Sequence, residues 1–200
     1  MSIGRNISAV ILAGGENKRF EGIIKSNIII GGKTIINRIL ENIYGIFDEI
    51  IIVTNTPEKI LVSHTCRFIS DIFPKKGPLA GIHSAMKCSE YGSFFVFAGD
   101  MPFLDRSIIE MQIKEYEKLK PDILVPDVNG LIEPLHSIYS GSVANVLEEF
   151  LNSPERPAVR GFFDSVNVVY MQFSDSAKVK MAFKNINTPE EASDAEREII

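Results

Sequence analysis

Ile7 to Leu12, Ile50 to Thr54 and Phe94 to Ala98 are short apolar runs separated by stretches in which apolar residues recur at helical spacing. Such runs lack the apolar–polar alternation of a strand with one wet face. They belong in a parallel sheet covered by helices on both sides. Along the rest of the chain helices and strands go on alternating. Thr34 caps a helix carrying Ile35, Ile36, Ile39, Leu40 and Ile43, and Leu79 to Ser89 reads as a second helix. Ser107 to Lys120 is amphipathic through Ile108, Ile109, Met111 and Tyr116. Further helices are expected around Val143 to Leu151 and after Thr188. Short strands or extended segments are expected at Ile28 to Ile30, Arg67 to Ile69, Ile123 to Val125, Leu135 to Ser140 and Val168 to Phe173. No repeat, low-complexity tract or linker interrupts the pattern. The expectation is one α/β domain over residues 1–200, three layers deep, with a mostly parallel Rossmann-like sheet.

Composition narrows the function classes. The 200 residues suffice for one sizeable core. Twenty-six acidic residues against twenty-one Lys and Arg leave a net charge of −5, which argues against nucleic acid or a membrane surface as partner. Cys66 and Cys88 stand in no ligand-like spacing and read as reduced, packed thiols. Met1 to Asn6 lacks the apolar stretch of a signal peptide, and no run is long enough to span a bilayer, so a cytoplasmic protein is expected.

Ligands of open α/β sheets sit outside the carboxyl ends of the strands, so the loops that follow strands carry the chemistry. The first is Gly14-Gly15, with Lys18, Arg19 and Lys25 close behind. Bare backbone lets a flat or anionic ligand approach closely, and concentrated cations in an acidic chain suit a polyphosphate. The spacing is neither that of a dinucleotide-binding turn nor that of a P-loop. The second is Gly99-Asp100-Met101-Pro102, where Asp100 either caps the next helix or holds a divalent cation; the sequence leaves both open. The third runs from Asp71 through Gly77-Pro78 to Gly81 and is either an ordinary helix entry or a segment that closes over a nucleotide.

Leu12-Ala13-Gly14-Gly15, Arg19, Lys25, Asp71, Gly77-Pro78-Leu79-Ala80-Gly81, Gly99-Asp100-Met101-Pro102, Glu133-Pro134-Leu135 and Asn185-Ile186-Asn187-Thr188-Pro189 occur in that order. Together they resemble the molybdenum cofactor guanylyltransferases, nucleotidyltransferases of the glycosyltransferase-A-like fold. The resemblance spans nearly the whole chain. It implies transfer of GMP from GTP to molybdopterin with Mg2+, yielding molybdopterin guanine dinucleotide and pyrophosphate. It also implies transient contact with molybdoenzymes or other cofactor-biosynthesis proteins.

Carried over residue by residue, the resemblance places Leu12, Ala13, Gly14, Gly15, Asn55 and Asp71 on the nucleotide, and Lys25 on its phosphates. Arg19 falls near the β- and γ-phosphates, Asp100 matches the Mg2+ and GTP ligand, and Asn185 and Asn187 fall on the acceptor side. Arg156 and Arg160 lie where the family keeps basic residues for an anionic acceptor, though a solvated surface explains them equally well. The chain departs from the family in having Gly22-Ile23-Ile24-Lys25 without an acidic residue before the lysine, and Phe20-Glu21 in place of Met-Gly. Two rivals stand beside this reading. Cytidylyltransferases tend to carry Ala-Ala-Gly where this chain has Ala13-Gly14-Gly15, and a non-catalytic module could deliver the pterin cofactor.

Other candidates have simpler explanations. His136 reads as a packed histidine, and His64 and His83 have no partner at zinc-ligand spacing. Thr188-Pro189-Glu190-Glu191 is a capping box that explains Thr188 and Pro189 without function. Lys75-Lys76 reads as solvated in the absence of ligand.

Overall fold

Hydrophobic runs buried on both faces dictate the centre of the molecule. The computed structural model describes residues 6–14, 24–153 and 158–197. Strand β1 (Ile7–Leu12) is followed by a hairpin of β2 (Ile29–Ile30) and β3 (Lys33–Thr34), helix α1 (Ile35–Ile43) and strand β4 (Ile50–Val53). Then come β5 (Arg67–Ile69), α2 (Pro78–Cys88), β6 (Ser93–Ala98), α3 (Arg106–Leu119) and β7 (Ile123–Val128). The chain ends with β8 (Leu131–Ile132), β9 (His136–Ser140), α4 (Ala144–Asn152), α5 (Val159–Phe163), β10 (Val168–Gln172), α6 (Ala177–Ala182) and α7 (Pro189–Arg197).

The sheet runs β10-β7-β9-β6-β1-β4-β5, with β8 added to β7. β1 lies parallel to both β4 and β6, and β5 and β10 continue the parallel pairing at the two ends. β9 enters antiparallel between β6 and β7, so the sheet is mixed but mostly parallel, with helices on both sides. The strand order reverses between β4 and β6 on either side of β1, which puts the carboxyl end of β1 at a topological switch point. The Ile29–Ile30 strand pairs only with β3, off the main sheet.

Successive β1 side chains alternate between two cores. Ile7, Ala9 and Ile11 pack with α1, with Ile109 and Ile113 of α3 and with Ala195 of α7. Val10 and Leu12 face Leu79 and Ile82 of α2, Leu147 and Leu151 of α4 and Phe162 of α5. Burying each Val, Leu, Ile or Phe side chain among these stabilises the fold by about 1.5–3 kcal/mol. A smaller cluster joins α6 to α3 through Ile108, Phe173, Val179 and Phe183. Helices α5 and α6 and strand β8 were not expected from the sequence. They have five, six and two residues, too short for a periodicity to show.

Helices α1 and α3 start at side-chain caps. The Thr34 hydroxyl accepts from Asn37 N–H, and Asp105 accepts from Ile108 N–H at 3.1 Å at the start of α3. Among the described residues no helix is long and apolar enough to cross a membrane. Cys66 and Cys88 are free thiols.

Candidate active site

The carboxyl ends of β1, β4 and β6 are held in register past the last ladder rungs. Ala13 N–H donates to Val53 O at 3.0 Å, and Gly99 N–H to Leu12 O at 3.1 Å. Gly99 has to be glycine, because a Cβ there would stand 2.7 Å from the Leu12 carbonyl oxygen, which is backbone and cannot yield. Above these ends opens a cleft of about 610 Å³. Leu12, Ala13, Gly14, Lys25, Asn55, Asp71 and Asp100 all line it, as do Ser26, Thr54, Lys59, Lys75, Gly77 and Leu135. Gly14 has open space where a side chain would stand, so a ligand can meet its main chain.

One wall holds a paired Asn55 and Asp71. Asn55 Nδ2 donates to Asp71 Oδ2, and Asp71 N–H returns a bond to Asn55 Oδ1, both at 3.1 Å. Burial pushes the Asp71 carboxyl above its ordinary range, and the bond from Asn55 partly offsets this. Lys75 reaches the same cleft from a left-handed backbone with φ of 64°. Lys76, expected to be solvated, instead donates to Ser153 O at 2.8 Å.

The opposite wall is ionic. Lys25 Nζ donates to Asp100 Oδ2 at 2.9 Å and to Asn187 Oδ1 at 2.6 Å. Both partners of the ion pair are largely but not fully enclosed, with side-chain exposures of 28% for Lys25 and 18% for Asp100. Asp100 does not cap the helix that follows. The helix after it starts at Arg106 and takes Asp105 as its cap, so the capping explanation for Asp100 falls. Ile186 N–H donates to Asp100 O at 2.8 Å, stitching the chain before α7 to the same turn. Asn187 N–H in turn donates to Glu191 Oε2 at 2.5 Å. Asn185 is half-buried beside this segment and does not line the cleft.

Sequence reasoning singled out Glu133 only as part of a motif, yet it belongs to this region. Three successive carbonyls of its turn are each satisfied. Ser137 Oγ donates to Glu133 O at 2.7 Å, Tyr139 OH to Pro134 O at 2.9 Å and Ala98 N–H to Leu135 O at 2.8 Å. The Glu133 carboxyl is pushed up to about 6, chiefly by burial; nearby Arg160 draws it down and Asp100 raises it further. Arg160 itself is exposed on α5. Gly15, Arg19 and Arg156 lie outside the described residues.

His136 lies beneath the cleft, fully buried, with Phe95, Phe97 and Phe183 edge-on around it and neither ring nitrogen hydrogen-bonded among the described residues. Burial drops it to about 4, so it is neutral at physiological pH. His83 Nε2 meets Glu148 Oε2 at 3.2 Å on the α2–α4 side. Among the described residues no three His, Cys, Asp or Glu side chains converge on a metal position. A cation on Asp100 would therefore share its shell with ligand oxygens and water, as Mg2+ does beside nucleotide phosphates.

The sequence profile of the MobA-like NTP transferase domain matches residues 9–166. A protein of Natranaerobius thermophilus named probable molybdenum cofactor guanylyltransferase is 36% identical, over 96% of both chains. A molybdenum cofactor guanylyltransferase of Desulfosudis oleivorans is 31% identical, again over 96% of each. Among solved structures, the molybdopterin-guanine dinucleotide biosynthesis protein A of Archaeoglobus fulgidus superposes with a TM-score of 0.80 at 32% identity. That superposition covers 96% of this chain and 98% of the other.

Proposed function

The chain belongs to the molybdenum cofactor guanylyltransferases, a family of nucleotidyltransferases, and on that premise we propose that it moves GMP from GTP to molybdopterin with release of pyrophosphate. The observation that carries this reading is the Lys25 ammonium, which lines the cleft and is held between Asp100 Oδ2 and Asn187 Oδ1. A site with one cation already on its carboxylate has the charge arrangement that a triphosphate and a divalent ion require.

Leu12, Ala13 and Gly14 present main chain to the guanine and ribose, and the Asn55–Asp71 pair offers an acceptor carboxylate in the same cleft. A purine with N–H donors on its edge suits that carboxylate. With two of its three N–H donors on Asp100 and Asn187, Lys25 offers the third to the phosphates as they enter, and Arg19 adds charge over the outer two. Mg2+ fits Asp100, whose Oδ2 already accepts a cation, and when bound it would neutralise the α-phosphate and polarise it toward attack. The terminal phosphate oxygen of the acceptor forms the new bond to the α-phosphorus as the bond to the β-phosphate oxygen breaks. The electron pair leaves on pyrophosphate. The attacking oxygen is already anionic, so no side chain has to take a proton. Arg156 and Arg160 meet the acceptor's charge, with Asn185 and Asn187 on that side.

Pyrophosphate release measured with molybdopterin, Mg2+ and GTP, CTP or ATP tests the reading. Release with GTP well above the other two is expected. Faster release with CTP would make the chain a cytidylyltransferase, and no release with any nucleotide would leave a delivery module.

A further inference from the structure

In a capping box the acidic residue at the third helical position turns back to the N–H of the capping residue itself. Helix α7 departs from this by one residue. Glu191 N–H donates to the Thr188 hydroxyl at 3.2 Å as expected, but its Oε2 accepts from Asn187 N–H, the residue before the cap. That peptide is the one whose side chain holds Lys25 Nζ at 2.6 Å. The adjacent Ile186 N–H is fixed by Asp100 O, so residues 186 and 187 are pinned from the Asp100 turn and from α7 at once. Helix initiation needs the Thr188 bond; it does not need the carboxylate on Asn187.

We propose that Glu191 is a positioning residue: by fixing the Asn187 peptide it aims Asn187 Oδ1 at the Lys25 ammonium and keeps Lys25 beside Asp100 both before nucleotide arrives and while it is bound. Lysine carries four rotatable bonds and loses much rotamer freedom when held, so two fixed oxygens are what make its position reproducible. Misplacement of a charged group by about 1 Å costs on the order of a hundredfold in rate, which gives this contact a kinetic reading separate from stability. The inference rests on the cleft being the transfer site, and it names a residue that does not line that cleft.

The test compares Glu191→Ala, Glu191→Gln and Thr188→Ala. In Glu191→Ala, kcat at saturating GTP is expected to fall by roughly ten- to a hundredfold with KM for GTP little changed. Glu191→Gln keeps an acceptor oxygen for Asn187 N–H and restores the rate. Thr188→Ala loses the cap and some Tm but keeps kcat. Independently of turnover, the 15Nζ signal of the Lys25 ammonium, protected by its two acceptors, is expected in the wild type and Glu191→Gln and absent in Glu191→Ala. If Glu191→Ala behaves like Thr188→Ala, with kcat and the Lys25 signal intact, Glu191 is a helix cap alone and the inference is wrong. If the wild type transfers no GMP, the transfer reading fails instead, while the Lys25 signal still reports whether Glu191 holds the contact.

Discussion

The two edges of the sheet carry similar residue types and treat them in opposite ways. At the amino edge the Glu49 carboxylate accepts from both Ser8 Oγ and Ser89 Oγ, with Arg67 Nη1 at 3.6 Å from its other oxygen. Ser8 is fully buried, and the cluster is closed on itself. At the carboxyl edge the backbone is tied down as tightly, yet the side chains are left unfinished. Asp100 has one ammonium on one oxygen, and the Glu133 carboxylate has no hydrogen-bond partner among the described residues. A closed network holds strands together; an unfinished one on a rigid backbone is ready for a ligand.

Changing a carboxylate at each edge separates the two roles most sharply. Asp100→Ala is expected to lower GMP transfer by about a thousandfold or more, several kcal/mol of transition-state stabilisation, with little change in urea midpoint. Glu49→Gln is expected to keep kcat and lose stability. Equal kinetic losses in the two variants would erase the distinction. Just below the carboxyl edge, His136 sets a pH limit on the fold. Its pKa falls from 6.5 in the unfolded chain to about 4 when folded, so its stabilising contribution is whole above pH 6.5. On the order of 3 kcal/mol is lost as pH falls from 6.5 to 4, by conversion of the pKa difference. Chemical denaturation across that window checks it, and a His136→Phe variant with an unchanged pH slope would remove the assignment.

Smaller effects refine the same contrast. Gly99→Ala drives a methyl against the Leu12 carbonyl and is expected to cost about 1–3 kcal/mol, read from the urea midpoint. Ser8→Ala leaves one Glu49 contact unmade at the other edge, for about 1 kcal/mol and no kinetic change. A further effect, dependent on pH, belongs to Glu133. A carboxyl raised to about 6 is most comfortable protonated, so stability is present below pH 4.5 and declines as pH rises through 6. Glu133→Gln is therefore expected to raise Tm at pH 8 and leave it unchanged at pH 4; a fall at pH 8 would mean that the charged form is held by partners.

Much of this was readable along the chain. The runs at β1, β4 and β6, the helices from Thr34, near Leu79 and near Ser107, and the glycine-rich strand ends follow from burial and capping, which act over a few residues. The short α5 and α6 carry too few residues to show a period, and β9 reads as a strand without revealing that it runs antiparallel. Asp100 was ambiguous because a cap and a ligand carboxylate look alike until Asp105 is seen taking the cap. Glu191 looked like half of a capping box because spacing shows that a carboxylate can turn back, but not which N–H it meets.

The sequence by itself determined a layered α/β sheet with its chemistry at the strand ends, since hydrophobic burial and local backbone preference are written residue by residue. Only the tertiary structure decided that Lys25, Asp100 and Asn187 share one ammonium, that Glu133 stands near Asp100 and Arg160, and that α7 reaches back to the cleft. Those relations join segments far apart in the chain. Electrostatics and hydrogen bonding act through distance in space, which becomes fixed only when both cores are packed.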